Sequence, residues 1–440
     1  MIQNIKTSSG LELAHFSLPH TRFVDIALAI GVGSRHEQKR LMGISHFTEH
    51  ILFRGCRTLP TSYQLSLEFD RIGEGLNAMT GREFTMFTTR VPNEELARAL
   101  KLLAGVVSEP LFRDVDTERG IILEEILEEL DEDGKDDDLD NISRKFIFGD
   151  YPLGYPVLGR PETVKNITES ELMDFHATYY LLSNMSLAVA GGASWAKCKQ
   201  AVEDAFGRRF IRPAAPSSAR GRMPAPARAR PSEIKLKDLR SGIHFVEGSG
   251  SQVEVIFSFF IPGERAPGEM ARMFLSRVLD DGISSRLQRT VCERRGLLYD
   301  ISSGSESFTD VGLFDVQFSV STQKLVEVVE VVVAELRLLG RELIGAEEFG
   351  IVRERFRRDG YSTAESARGM ATLMSEVYLL RLPLPLEPRE HEARINELTP
   401  QAVRDEAARA FRFDHCAFVA KGDVSPAQRR AIRRILKRLD

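Results

Sequence analysis

Residues 43–56 read GISHFTEHILFRGC. The run is apolar and helix-like apart from His46, Glu49 and His50. Positions four apart on a helix share a face, with Cβ atoms about 5–6 Å apart, so His46 and His50 can reach one ion. Imidazole suits zinc, and a catalytic zinc keeps three protein ligands and a water. Glu49 flanks the same face, where a carboxylate can take a proton from that water. On these five residues alone the other reading stays open: a helix with two histidines that are partly exposed or satisfied in a core.

A third ligand must come from elsewhere. The best candidate stretch is TERGIILEEILEEL, residues 117–130. Glu118 and Glu125 lie two helical turns apart and project from one face. Ile121, Ile122, Leu123, Ile126, Leu127 and Leu130 give this helix much apolar surface to bury. A glutamate on a buried face needs a partner, since an isolated buried carboxylate is costly. A metal is one such partner. The alternative, that both face solvent like Glu124, Glu128 and Glu129, stands equally on spacing alone.

The whole chain sets outer bounds. Its 440 residues exceed what a single core supports, so two or more domains are expected. The 59 basic and 64 acidic residues leave a net charge of −5, which supports neither a nucleic-acid nor a membrane-surface partner. The longest apolar runs fall short of the roughly 18 residues of a transmembrane helix. The N-terminal MIQNIKTSSGLELAHF lacks the apolar core of a signal peptide. Cys56, Cys198, Cys292 and Cys416 are scattered without a CxxC pair. They read as free thiols of a reducing compartment, and a cytoplasmic enzyme is expected.

Residues 208–233, RRFIRPAAPSSARGRMPAPARARPSE, are rich in Pro, Ala and Arg and read as a linker. They divide the chain near its middle. Each half opens on a strand-like run, FVDIALAIGVG (23–33) and VEVIFSFFIPG (253–263). Each continues to a second β-rich stretch, FTMFTTRVP (84–92) and GLFDVQFSVS (312–321), and then to a long helix, 118–130 and 324–339. Each closes on a short apolar strand, MSLAVAGG (185–192) and CAFVAKGD (416–423). This order predicts an α+β fold of two similar lobes, antiparallel sheet plus helices, arising by internal duplication. The expected division is a lobe over 1–210, a linker over 211–232 and a second lobe over 233–440. The acidic run EELDEDGKDDDLD (128–140) reads as a solvated helix end and loop.

The pentad and the glutamate helix together resemble the insulinase–pitrilysin family, which includes the mitochondrial processing peptidases. His46, Glu49 and His50 fit its H-x-x-E-H motif. Glu118 and Glu125 fit its downstream E-x6-E, with Glu125 falling 75 residues after His50. GLNAMTGREFTMF (75–87), YPLGYPVLGRPETVKNIT (151–168), YYLLSNMSLAVAG (179–191) and SSRLQRTVCERRGLLYDISS (284–303) resemble further family segments in the expected order.

The resemblance implies that His46, His50 and Glu125 bind one zinc ion per chain. It implies that Glu49 is the general base and then acid, and that Glu118 orients a ligand or the water from behind. Asn77 and Ala78 would lie on an edge strand that pairs with substrate backbone, and Tyr299 would contact substrate from the second lobe. The implied activity is that of a zinc endopeptidase cutting peptides, or leader and precursor segments, in a chamber between lobes. The alternative is a non-catalytic scaffold subunit of the same fold. One departure stands out. Where the family carries an Arg seven residues before this Tyr, the chain has Cys292, and Arg294 and Arg295 are out of phase. Chains of this length in the family work in pairs, so the implied partner is a second copy or a zinc-less homologous subunit that supplies the missing Arg–Tyr pair.

Overall fold

The structure is a computed structural model that describes residues 2–207, 233–248 and 250–440. The expected linker over 211–232 lies outside the described residues. The chain opens with strands β1 (Ile2–Lys6), β2 (Glu12–Ser17) and β3 (Phe23–Ile30), then helices α1 (Ile44–Leu52) and α2 (Ser62–Asp70). Strands β4 (Asn77–Thr80) and β5 (Thr85–Pro92) follow. Five helices come next: α3 (Leu96–Ser108), α4 (Val115–Leu127), α5 (Leu139–Phe148), α6 (Pro161–Val164) and α7 (Glu169–Tyr179). Strand β6 (Met185–Gly191) and α8 (Trp195–Phe206) complete the first half.

The second half repeats the plan. Strands β7 (Gly242–Val246) and β8 (Gln252–Pro262), helix α9 (Glu269–Leu279), and strands β9 (Ile301–Ser307) and β10 (Val311–Ser321) come first. Helices α10 (Leu325–Arg341), α11 (Ala346–Glu365), α12 (Ala367–Leu380), α13 (Pro388–Glu397) and α14 (Pro400–Ala410) lead to β11 (Cys416–Lys421) and α15 (Pro426–Leu436).

The duplication is visible in strand order. The first sheet runs β1-β2-β6-β3-β5-β4 and the second β7-β11-β8-β10-β9. In each, one pair is parallel, β2 with β6 and β7 with β11, and the inner pairs are antiparallel. With about 49% helix and 20% strand, the class is α+β. The repeat reaches single residues. Gly191 ends β6 and Gly422 directly follows the equivalent strand β11, both at φ +140°, where a β-carbon would meet backbone of the neighbouring strand. One pairing drawn from the sequence shifts. The helix matching α10 is α3, since each directly follows its strand, β10 or β5. The stretch 118–130 falls mostly in the next helix along, α4.

The compact units are not the two sequential halves. One comprises the described residues of 1–134, 151–232 and 361–387, and the other those of 135–150, 233–360 and 388–440. The reason is that each sheet has two faces to cover. In the first unit, strands alternate. Ile26, Leu28 and Ile30 join the large core under α1, α3, α7 and α8, while Ala27 and Ala29 face the other way. Those alanines, with Ala14, Ala188 and Ala190, let α12 approach closely and pack Met370, Ala371 and Met374 on the sheet. In the second unit, Leu139 and Ile142 of α5 cover Ile256 and Val419. So a short segment from each half closes the sheet built by the other half. The acidic run is partly structural, because Asp138 caps α5 by accepting from the Asn141 N–H at 2.8 Å.

Candidate metal centre

Helix α1 is fixed at both ends of its reach. Phe47 and Ile51 are fully buried in the first core, and the Arg119 guanidinium of α4 lies 5.3 Å over the Phe47 ring. At the N-terminus, Gly43 takes φ +92°, a turn that side chains resist, and a β-carbon there would meet the Leu158 carbonyl at 2.6 Å. The first backbone N–H groups of a helix lack partners in the helix itself. Here the buried Glu37 carboxylate accepts from the Gly43 and Ser45 N–H groups, both at 2.8 Å. Burial pushes its carboxyl up to about 7 against the pull of these bonds.

The helix turns His46 and His50 to one side, with ring centroids 4.5 Å apart at 67°. Helix α4 lies alongside and brings Glu125 to them. Glu125 Oε2 is 3.7 Å from His46 Nε2, and Oε1 is 3.7 Å from His50 Nε2. One ligand atom from each of His46, His50 and Glu125 falls within 4.8 Å of the others, so a single ion can be shared. The donor set, two imidazoles and a carboxylate, is one that zinc accepts. Desolvation by burial, with help from the His50 charge, lowers the His46 pKa to about 3. The ring is therefore neutral, as a ligand must be. His46 Nδ1 is buried without a hydrogen-bond partner.

Behind this group sits a second layer. His50 Nδ1 is 2.9 Å from Glu118 Oε2. A carboxylate accepts, so Nδ1 carries the proton and Nε2 keeps its lone pair toward Glu125. Burial works against charge on His50, but the bond to Glu118 and the field of Glu125 win, and its pKa is raised. Arg54 in turn pairs with the other Glu118 oxygen. Glu49 is buried, and the Thr80 hydroxyl donates to its Oε2. Burial raises the Glu49 pKa, opposed by that bond.

The structure thus brings together His46, Glu49, His50, Glu118 and Glu125. The two glutamates differ: Glu118 is 7% exposed, whereas the Glu125 side chain is 40% exposed, and Glu124 and Glu128 face solvent. Helix α4 buries less apolar surface than expected, with Ile121 43% and Leu127 57% exposed. Asn77 and Ala78 lie on β4, the last strand of the first sheet, beside α1. Tyr299 and Cys292 belong to the second unit. Tyr299 is fully exposed and lines a cavity of about 560 Å³. Cys292 is half-buried within a π-helical turn, Gln288–Glu293, against the second core. Sequence reasoning missed Arg54, Thr80 and Glu37. Arg54 lies inside the opening stretch, four residues after His50. Strand alternation from Ala78 points to Thr80. Nothing local marks Glu37.

Against known proteins, residues 13–159 match the family model described as insulinase (peptidase family M16) and residues 166–356 the model described as peptidase M16 inactive domain. An uncharacterized zinc protease of Mycobacterium leprae is 31% identical over 325 residues, 73% of this chain and 70% of that protein. The chain belongs to the M16, insulinase, family. Among solved structures, this M16 chain is similar to a protease from Helicobacter pylori, with a TM-score of 0.83, 18% identity and coverage of 96% and 99% of the two chains. It is also similar to a chain of complex III2 from Candida albicans, at a TM-score of 0.78 and 17% identity over 98% and 99%. At these identities the likeness concerns the fold. No helix among the described residues is long and apolar enough to cross a membrane.

Proposed function

We propose that this M16 chain is a zinc-dependent endopeptidase. The observation that carries the reading is the convergence of His46, His50 and Glu125 on one ion position, with the Glu49 carboxylate near enough to feel the His50 and Glu125 charges. Zinc held there would polarise a scissile carbonyl and acidify its bound water. Glu118 and Arg54 hold His50 in the tautomer that offers Nε2. Glu49 accepts the water proton as oxygen adds to the carbonyl carbon, then delivers a proton to the amine as the C–N bond breaks. The open edge of β4, at Asn77 and Ala78, receives the substrate as an added extended strand. Backbone pairing of this kind suits peptides or leader segments with loose side-chain demands. Four free thiols fit a cytoplasmic site of action.

A second reading is a scaffold subunit of the same fold. Cys292 favours it, and so does the match of residues 166–356 to an inactive-domain model. The intact ligand set and base favour the enzyme. Both observations are reconciled if the chain works beside a zinc-less homologous subunit that supplies an Arg–Tyr pair, with a homodimer as the rival arrangement. The test combines size-exclusion chromatography with a peptidase assay on the purified chain, alone and with its partner, using Glu49→Gln as control. E49Q should abolish cleavage while bound zinc stays near one per chain. Turnover by E49Q at the wild-type rate would remove Glu49 from the mechanism. Full activity from the single chain would rule out an obligatory second subunit.

A further inference from the structure

We infer that Thr80 is a positioning residue for Glu49, keeping that carboxylate a proton acceptor and out of the metal's ligand set. The inference rests on the zinc peptidase reading above. Strand β4 alternates, with Asn77 and Met79 exposed and Ala78 and Thr80 half-buried. Ala78 packs against the first core, so Thr80, two residues on, points to the same side, where α1 lies. There its hydroxyl donates to Glu49 Oε2.

This contact restrains the carboxylate. A carboxylate beside two imidazoles and a second carboxylate is itself a competent zinc ligand. Free to turn, Glu49 would add to the group, and a carboxylate bound to a metal cation is a much weaker base toward the reacting water. The Thr80 bond engages one oxygen and leaves Oε1 for the reacting water.

The donor is rigidly placed. Threonine is stiff at χ1. The turn that follows is pinned by the Gly81 N–H to the Phe84 carbonyl at 2.8 Å, and the Ser34 N–H donates to the Gly81 carbonyl at 3.2 Å. Across the turn, the Thr85 hydroxyl donates to the Val32 carbonyl at 2.9 Å. A strand that receives substrate along its edge therefore sets the base with its face. Substrate docking and base alignment share one rigid element.

The experiment compares wild type, Thr80→Val, Thr80→Ser and Glu49→Gln in the full chain. Two readouts are taken: the visible spectrum after loading with cobalt(II) alone, and steady-state cleavage of an internally quenched peptide. T80V keeps the volume of threonine and removes the donor. It should bind one cobalt with a weaker, five-coordinate-type spectrum as Glu49 joins the ligands. Its kcat should fall roughly 10–100-fold, a fraction of a general base's usual effect, with KM within about twofold. T80S should restore both. The double variant T80V/E49Q should return the spectrum to the wild-type form. A wild-type spectrum and wild-type kcat in T80V would overturn the inference. So would an equal loss in T80S, which marks a packing role. If E49Q cleaves as well as wild type, the peptidase reading itself fails. If E49Q is inactive and T80V unchanged, only the role of Thr80 fails.

Discussion

At the scale of single residues, the centre is a relay of buried polar contacts. Arg54 faces Glu118, Glu118 faces His50, and His50 faces Glu125. Removing Arg54 leaves the buried Glu118 carboxylate with the His50 N–H on one oxygen and nothing in Arg54's place on the other. Arg54→Met should therefore weaken zinc binding by about 10–100-fold, the usual effect of losing a partner behind a ligand. Competition against a chelator of known affinity measures this. Arg54→Lys should recover part of the loss, since it keeps the charge but not the planar fork. Unchanged affinity in R54M would show that Glu118 orients His50 without help. The sequence made the inner layer readable because zinc chemistry restricts ligand types and helix geometry restricts their spacing. It left the outer layer obscure because arginines and threonines are common and their partners are set by tertiary approach. Thr80 and Arg54 both lie inside stretches that attract notice for other residues.

At the scale of elements, the decisive feature is how α1 begins. Glu37 satisfies two of its first N–H groups from a fully buried position, and its folded pKa, near 7, stands above the ordinary glutamate value of 4.5. The sign follows from linkage. Between these values the folded state binds the proton more tightly than the unfolded state. The associated stability is complete below about 4.5 and is lost as the pH rises toward 7. Thermal melts across this window should show the melting temperature of wild type falling relative to that of Glu37→Gln, which does not titrate. Parallel curves would show that Glu37 is equally ionised in both states. The strands were legible because β3 and β8 are long apolar runs and β5 and β10 are rich in β-branched and aromatic residues. Which helix covers which face was not. Ala27 and Ala29 alternate with Ile26 and Leu28, but nothing nearby says that their cover is α12, more than 330 residues away.

At the scale of the molecule, both sheets are completed from a distance. Helix α5 closes the sheet of the second unit, and α12 that of the first. Cleaving the chain between Gly207 and Glu233 should therefore not release independent halves. Engineered cleavage there, followed by size-exclusion chromatography, should give two bands on a denaturing gel and one native peak. Two native peaks would mean that each half holds its own sheet. The duplication was legible from repeated motifs. The exchange of segments was not, because a repeat in sequence suggests self-contained repeats in space.

The exchange also bears on how the protein is made. The first sheet has all its strands once Gly191 is synthesised, yet Leu380, the end of its covering helix, comes 189 residues later. At about 5–20 residues per second, translation leaves that face bare for roughly 10–40 s. Ala14, Phe16, Met86 and Ala190 wait uncovered during that time. The nascent chain is thus most vulnerable to aggregation when its metal ligands are already in place but its sheet is still missing one layer.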